Sequence, residues 1–133
     1  MNSPAKDIAT ILDAESGLAL TFADNLHVGM EPPKPIECVT IFDTYGSSPQ
    51  LAMNDQGYEM PNIQVRVRSA KYDTGWAMIE AIKDRLHGLH QEVWNSTLYS
   101  AIYCASGPVF LDWDDNSRAR FICNFKIQRR VNN

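Results

Sequence analysis

The clearest feature of the chain is an alternation of apolar and polar residues from Asn62 to Ala70. Ile63, Val65 and Val67 occupy every second position, and polar or basic residues lie between them. Successive side chains of a strand point to opposite faces, so this pattern predicts a strand with one apolar and one basic face. The alternation recurs from Arg118 to Gln128, where the apolar set is Ala119, Phe121, Cys123, Phe125 and Ile127.

Two other segments have the composition of strands. Residues from Ile36 to Asp43 are rich in β-branched and aromatic side chains, which favour extended structure. The stretch from Tyr99 to Gly107 is similar and continues toward Asp112. A short extended piece from Leu26 to Met30 precedes the proline-dense segment Glu31–Pro35. Prolines at this density exclude a helix and predict a stiff linker.

Apolar residues recur at helical spacing in two places. A helix is predicted over residues 3–14. Ser3 can cap its N-terminus, and Pro4 suits its first turn. Its apolar face contains Ile8, Ile11 and Leu12. The main helix is predicted over residues 73–87, with Asp73 as its cap and Gly88 as its stop. Its apolar face contains Trp76, Ile79, Ile82 and Leu86.

The order helix, strand, strand, helix, strand, strand predicts an α+β fold. Sequential strands usually pair, so we expect two antiparallel pairs that merge into one mostly antiparallel sheet of about four strands. The main helix should pack on the apolar face of that sheet, accompanied by the N-terminal helix. A chain of 133 residues fits one domain, residues 1–133.

A long loop is predicted over residues 44–60, between the second and third extended segments. It is rich in glycine, serine and asparagine. Loops of this length in a small domain usually have a function. We therefore expect Tyr45 to Tyr58 to be mobile in an isolated subunit and ordered in an assembly. The candidate assembly residues are Tyr45, Gly46, Asn54, Asp55 and Tyr58.

Composition narrows the function classes. The net charge of −4 argues against a dedicated nucleic-acid binder. Apolar runs are only a few residues long and the N-terminus shows no secretory pattern, so we expect a soluble protein made in a cytoplasm. The cysteines, Cys38, Cys104 and Cys123, have no metal-binding spacing and are predicted to be buried free thiols.

No residue constellation predicts chemistry. His87 and His90 are separated by the helix-breaking Gly88, which favours a polar helix end over a metal site. The acidic cluster from Asp112 to Asn116 lacks the glycine and glutamate of a calcium loop and is predicted to be a hairpin turn. Nucleophile elbows and phosphate-binding loops are absent from the sequence. We therefore predict no enzyme activity, no metal site and no cofactor.

The basic strand faces are the remaining candidate site. They hold 5 of the 12 lysine and arginine residues, namely Arg66, Arg68, Arg118, Arg120 and Lys126. One interpretation is a face that is solvated or paired with carboxylates. The other is a face that meets an acidic neighbouring subunit or the phosphates of DNA.

Several segments, in order and over nearly the whole chain from about Asp7 to Arg130, resemble the bacteriophage minor capsid or tail-terminator family. They are Leu26–Met30, Cys38–Gly46, Pro61–Arg68, Ile82–Leu89 and Arg120–Phe125. The turn at residues 112–117 departs from the glycine-containing turn expected in this family.

The resemblance implies a structural subunit of a virion, with no cofactor, at the head–tail junction of a long-tailed phage. Such a subunit assembles in the host cytoplasm into a homo-oligomer, a hexameric ring that caps the tail tube protein and stops its polymerisation. The ring also meets the head connector or stopper protein, and phage DNA passes through its lumen without sequence-specific binding. The basic residues would then face the lumen or a subunit interface, and no membrane is involved.

Two alternatives remain open from the sequence. The first is a head-side neck protein, either a stopper or a head-completion protein, which is also small and ring-forming. The second is a small α+β ligand-binding domain or enzyme, which would need a pocket with convergent polar groups.

Overall fold

The structure is a computed structural model that describes residues 1–47 and 57–132. Two helices in this part of the chain are α1 (Pro4–Ala14) and α2 (Tyr72–Leu86), with a short 3-10 turn at Ser16–Leu18. The strands are β1 (Leu26–Val28), β2 (Cys38–Ser47), β3 (Met60–Ser69), β4 (Glu92–Trp94), β5 (Thr97–Trp113) and β6 (Ala119–Val131).

The two helices form where the periodicity predicts them. Ser3 caps α1 by accepting a hydrogen bond from the backbone N–H of Lys6 at 3.2 Å, and Pro4 starts the first turn. The prediction that Asp73 caps α2 is wrong, because the helix begins one residue earlier and Asp73 lies in its first turn. There its carboxylate still interacts favourably with the positive end of the helix dipole.

The sheet has the predicted antiparallel pairs. Strands β2 and β3 pair with each other, β5 and β6 pair with each other, and an antiparallel β3–β6 contact joins the pairs. The expectation of about four strands is too low, since the described residues form a six-stranded sheet in the order β1-β2-β3-β6-β5-β4. The two additional strands are three residues long, and β1 runs parallel to β2.

The core lies between one face of this sheet and the two helices. The apolar residues of β3 and β6 that alternate in sequence are all buried there. They pack against one face of each helix, which includes Ile8, Ile11, Leu12, Ile79, Ile82 and Leu86. The opposite face of the sheet, which we call the polar face, carries the residues at the intervening positions of β2, β3 and β6.

A buried polar cluster attaches α1 to the end of the sheet. The Tyr99 hydroxyl donates a hydrogen bond to the Asp7 carboxylate, and both residues are fully buried. Arg129 lies 3.6 Å from Asp7 and 3.0 Å from Glu59, while the Asn95 amide donates to Asp7 at 2.7 Å. Burial, together with the hydrogen bond to Asp7, raises the pKa of Tyr99 above its ordinary value, so its hydroxyl stays a donor.

Candidate assembly surfaces

One end of the polar face is covered by the proline-rich segment, residues 31–36. The Glu31 carboxylate lies 3.5 Å from the Arg68 guanidinium and 3.2 Å from that of Arg120. Arg68 also donates hydrogen bonds to the backbone carbonyl oxygens of Pro35 and Ile36, at 2.7 and 3.3 Å. The segment is therefore held to the sheet by charged side chains of β3 and β6.

Two of the predicted basic residues form further ion pairs near this end. Arg120 binds Asp112 through two hydrogen bonds of 2.7 and 2.6 Å, and this contact lowers the pKa of Asp112. Arg118 binds Asp114 at 2.7 Å and donates to the Pro33 carbonyl at 2.8 Å. With Arg68, which is only 2% exposed, three of the five basic residues have carboxylate partners within the chain.

The middle of the polar face is uncovered by the described segments and is mostly neutral. Gln64 donates to Asn124 at 3.1 Å, and Asn124 donates to Ser106 at 3.0 Å, so amides and hydroxyls bridge three strands. Arg66 donates to Gln64 at 3.2 Å and lies 5.0 Å above the Phe42 ring. Within residues 1–47 and 57–132, no carboxylate is within ion-pair distance of Arg66 or of the exposed Lys126.

Strand β5 has a free edge over its second half. Strand β4 covers only Thr97 to Tyr99, and the segment after α2 reaches Ile102 through its backbone. The imidazole of His87 then accepts a hydrogen bond from the backbone N–H of Cys104 at 2.9 Å. Among the described residues, nothing pairs with the outer edge from Ala105 to Trp113.

Strand β2 has the second free edge. Strand β1 covers it as far as Ile41, whose carbonyl accepts from Gly29 at 2.9 Å. Beyond that point no described segment pairs with the outer edge of residues 42–47. The loop predicted over residues 44–60 therefore starts later than expected, because β2 continues to Ser47.

An exposed aromatic surface lies beside the free edge of β5. Phe110 contacts Tyr72, Trp113 and the buried Phe121, with ring centroids 5.6, 5.7 and 5.6 Å away. We call Tyr72, Trp76, Phe110 and Trp113 the aromatic patch; their exposed fractions are 47, 37, 36 and 53%. Contiguous apolar side chains of this kind on a protein surface usually mark a contact with another protein.

Comparison with known proteins places the chain. Residues 7–131 match the sequence profile of a family described as "Bacteriophage tail terminator protein". The chain belongs to this family. Members are structural, non-enzymatic virion proteins, so this tail-terminator chain is a structural component of a phage particle. No curated protein sequence matches it.

The fold of this terminator-family chain recurs in a solved structure described as the virion of a native gene transfer agent particle. The match has a TM-score of 0.69 and covers 96% of this chain and 95% of the other, at 13% sequence identity. At that identity the likeness concerns the fold alone. The six-stranded sheet with its two helices is thus an architecture already seen in a virion.

The predicted site residues fall into three groups in the structure. Three of the basic residues form ion pairs within the chain, namely Arg68, Arg118 and Arg120. The other two, Arg66 and Lys126, lie on the uncovered part of the polar face. A role at a lumen or a subunit interface stays a prediction for all five. Tyr45 is 99% exposed, Gly46 abuts the Met60 carbonyl, and Tyr58 packs below Arg130 at 5.3 Å. Asn54 and Asp55 lie outside the described residues.

Sequence reasoning missed the aromatic patch and the role of Glu31. The run Val109-Phe110-Leu111 followed by Trp113 was a usable signal, since an edge strand rarely exposes so many large apolar residues without a partner. No local sequence signal indicated the role of Glu31, because it contacts Arg120 across 89 positions of sequence.

The described residues contain no cluster of three or more potential metal ligands, and none of their helices is long and apolar enough to span a membrane.

Proposed function

We propose that the chain is a tail terminator subunit that closes into a hexameric ring on the last ring of the tail tube. The ring stops polymerisation of the tube protein and offers its other surface to the head connector or stopper protein. Family membership supports the general role. The observation that supports the ring is the pair of free strand edges on opposite sides of one sheet.

Strand directions make these two edges compatible. Strands β2 and β6 run in one direction and β3 and β5 in the other, because each neighbouring pair is antiparallel. In a second copy related by rotation about an axis tilted by about 35–45° from the strands, β2 approximately keeps its direction and is antiparallel to β5 of the first copy. Head-to-tail contacts of this kind close a ring without a leftover edge.

The positions of the edges along the strands also suit a closed ring. The free part of β5 lies near the Cys38 end of the sheet, and the free part of β2 lies at the opposite end. Pairing them offsets each copy along the strand direction, which a closed ring accommodates when the strands are tilted from the ring axis, as they are in closed barrels. The aromatic patch would then be covered by the neighbouring copy, together with Tyr45 near the other edge.

The polar face is expected to line the lumen, because the helices and core occupy the other side of the sheet. Its neutral amides and its cations Arg66 and Lys126 would attract the DNA backbone weakly. Weak, non-specific contact suits a channel through which DNA has to move.

A charged substitution in the aromatic patch tests the ring. Trp113→Lys should fold normally but give overlong tails and few infectious particles when it replaces the natural chain in a phage. Ile36→Lys is the matched control, since Ile36 has a similar exposed fraction of 50% and belongs to the covering segment, outside both free strand edges. Normal tail lengths with Trp113→Lys, measured by electron microscopy, would contradict the proposed interface.

The head-side alternative is tested by purification of tails from infections that make no heads. A terminator should be bound to these tails, and a stopper or head-completion protein should be absent from them and present on tail-less heads. Detection by mass spectrometry decides between the two locations.

A further inference from the structure

Two thiols on neighbouring strands lie in contact. Cys104 of β5 and Cys123 of β6 are both free, and their Sγ atoms are 3.4 Å apart. Cys123 is fully buried, whereas Cys104 is half-buried and lies where β5 becomes an edge strand. A reagent in solution therefore has access to one member of a contacting thiol pair.

A distortion of β5 creates this contact. Cys104 is opposite Phe125, and the register shifts twice between Cys104 and Val109. At the bulge Gly107 has a φ of 96°, and a Cβ there would lie 2.9 Å from the carbonyl oxygen of Ile122. The backbone of β5 thus passes close above Cys123, and the Cys104 thiol donates to the Gly107 carbonyl at 3.3 Å.

We propose that Cys104 and Cys123 form an oxidation site at which a low-molecular-weight disulfide of the glutathione class produces an intrachain disulfide. The Cys104 thiolate attacks the reagent's disulfide, which gives a mixed disulfide and releases one thiol. Cys123 then loses its proton and attacks Cys104 Sγ, which releases the second thiol. Two protein thiols are oxidised and one reagent disulfide is reduced to two thiols.

The second step is expected to be the slower one, on the geometry and on the environment of Cys123. The sulfurs, 3.4 Å apart, have to approach by roughly 1.4 Å to reach bonding distance, and rotation of the two side chains would have to supply this movement. Burial and the hydrogen bond with Cys104 raise the pKa of Cys123 to about 12, so few thiolates form at neutral pH. The second step should therefore become faster as the pH rises.

Such a bond would fix the β5–β6 hairpin beside its free edge. A phage particle leaves the reducing cytoplasm of its host for an oxidising medium, in which disulfides persist. The bond would thus form after assembly and strengthen the hairpin in the released particle. The chemistry requires only the folded chain and does not rest on the proposed ring.

The test is oxidation of the folded, purified chain by glutathione disulfide at pH 8, followed by alkylation, trypsin digestion and mass spectrometry. Trypsin separates the three cysteines, because Cys38, Cys104 and Cys123 fall in peptides 7–66, 86–118 and 121–126. We expect a disulfide that joins peptides 86–118 and 121–126. Cys38, buried on β2 and separated from β6 by β3, should stay reduced.

Single serine variants provide the controls. Cys123→Ser should stop at a stable glutathione adduct on Cys104, Cys104→Ser should leave Cys123 unmodified, and Cys38→Ser should form the disulfide normally. A stable adduct on Cys104 of the natural chain, a disulfide that includes Cys38, or no reaction at all would each overturn the proposal. If the disulfide forms, the midpoint of thermal unfolding should be higher than that of the reduced chain.

Discussion

Glu31 and Arg68 are connected across the polar face of the sheet, with the carboxylate 3.5 Å from the guanidinium and the arginine side chain only 2% exposed. Arg68 is the next-to-last residue of β3, and Glu31 begins the proline-rich segment that covers this end of the sheet. The segment is therefore part of the folded unit. Arg68 was predicted from the sequence to face a lumen or a subunit interface, and in the structure its charge is neutralised by Glu31 of the same chain.

Loss of this ion pair should destabilise the fold. In Glu31→Gln the buried Arg68 and its neighbour Arg120 lose a shared carboxylate. We expect the free energy of unfolding to fall by about 2–3 kcal/mol, which is at or below the usual cost of breaking a buried ion pair. The loss is limited because the Pro35 and Ile36 carbonyls still bind Arg68. Urea denaturation measures the change. Glu80→Gln is the control, since the side chains of its pair with Lys83 are each about one-third exposed (35% and 31%) and the pair should contribute less than about 0.5 kcal/mol. Equal effects would contradict the structural role of Glu31.

Tyr99→Phe should also be destabilising. The substitution removes the hydroxyl that donates to Asp7 and leaves a buried carboxylate with one donor fewer, which typically costs about 1–3 kcal/mol. Tyr103→Phe, four residues further along β5, is the matched control because its ring is 47% exposed. Unfolding curves of the two variants should separate clearly; coincident curves would show that the buried cluster contributes little.

Sequence predicts the parts of this molecule that depend on local periodicity. Helix α1, helix α2 and the alternating strands β3 and β6 are long enough to show their period, and their pairing follows from chain order. Strand β1 (Leu26–Val28) lies within the extended piece predicted at Leu26–Met30, whereas β4, three residues long, is too short for any periodicity to be read. The second half of β5 was underestimated because its bulges interrupt the alternation between Cys104 and Asp112.

The surfaces were harder to predict than the fold. The alternation correctly placed the apolar residues of β3 and β6 on the core side of the sheet, but the covering of one end of the polar face by residues 31–36 depends on contacts between residues far apart in sequence. The thiol contact between Cys104 and Cys123 likewise depends on a register shift that no local pattern indicates. Charges and reactive groups are thus assigned to a face by sequence, while their partners emerge only from the fold.

Gly75→Ala tests the packing that supports the aromatic patch. A Cβ at Gly75 would lie 2.6 Å from the Phe121 ring, so α2 must move away from β6. Alanine favours a helix over glycine by up to about 1 kcal/mol, and we expect overpacking to outweigh this gain and give a net loss of about 1–2 kcal/mol. In Gly17→Ala the new Cβ would have only Glu15 nearby, at 3.9 Å, so thermal unfolding should change little. A stabilised Gly75→Ala variant would show that the contact yields easily.

Charge reversal on the uncovered polar face tests its predicted place in the lumen. Arg66→Glu and Lys126→Glu change residues without a carboxylate partner among the described residues, so folding should be preserved, whereas reversal at Arg118 or Arg120 would also break internal ion pairs. Together the two changes remove two positive and add two negative charges in each copy and should repel DNA. We expect assembled particles with normal tails but at least tenfold fewer infections, and slower DNA release in an ejection assay. Lys6→Glu is the control, because Lys6 is exposed on α1, which packs on the opposite face of the sheet. Normal infectivity of the double variant would mean that this face is simply solvated, and failure to form tails would place it at a subunit interface.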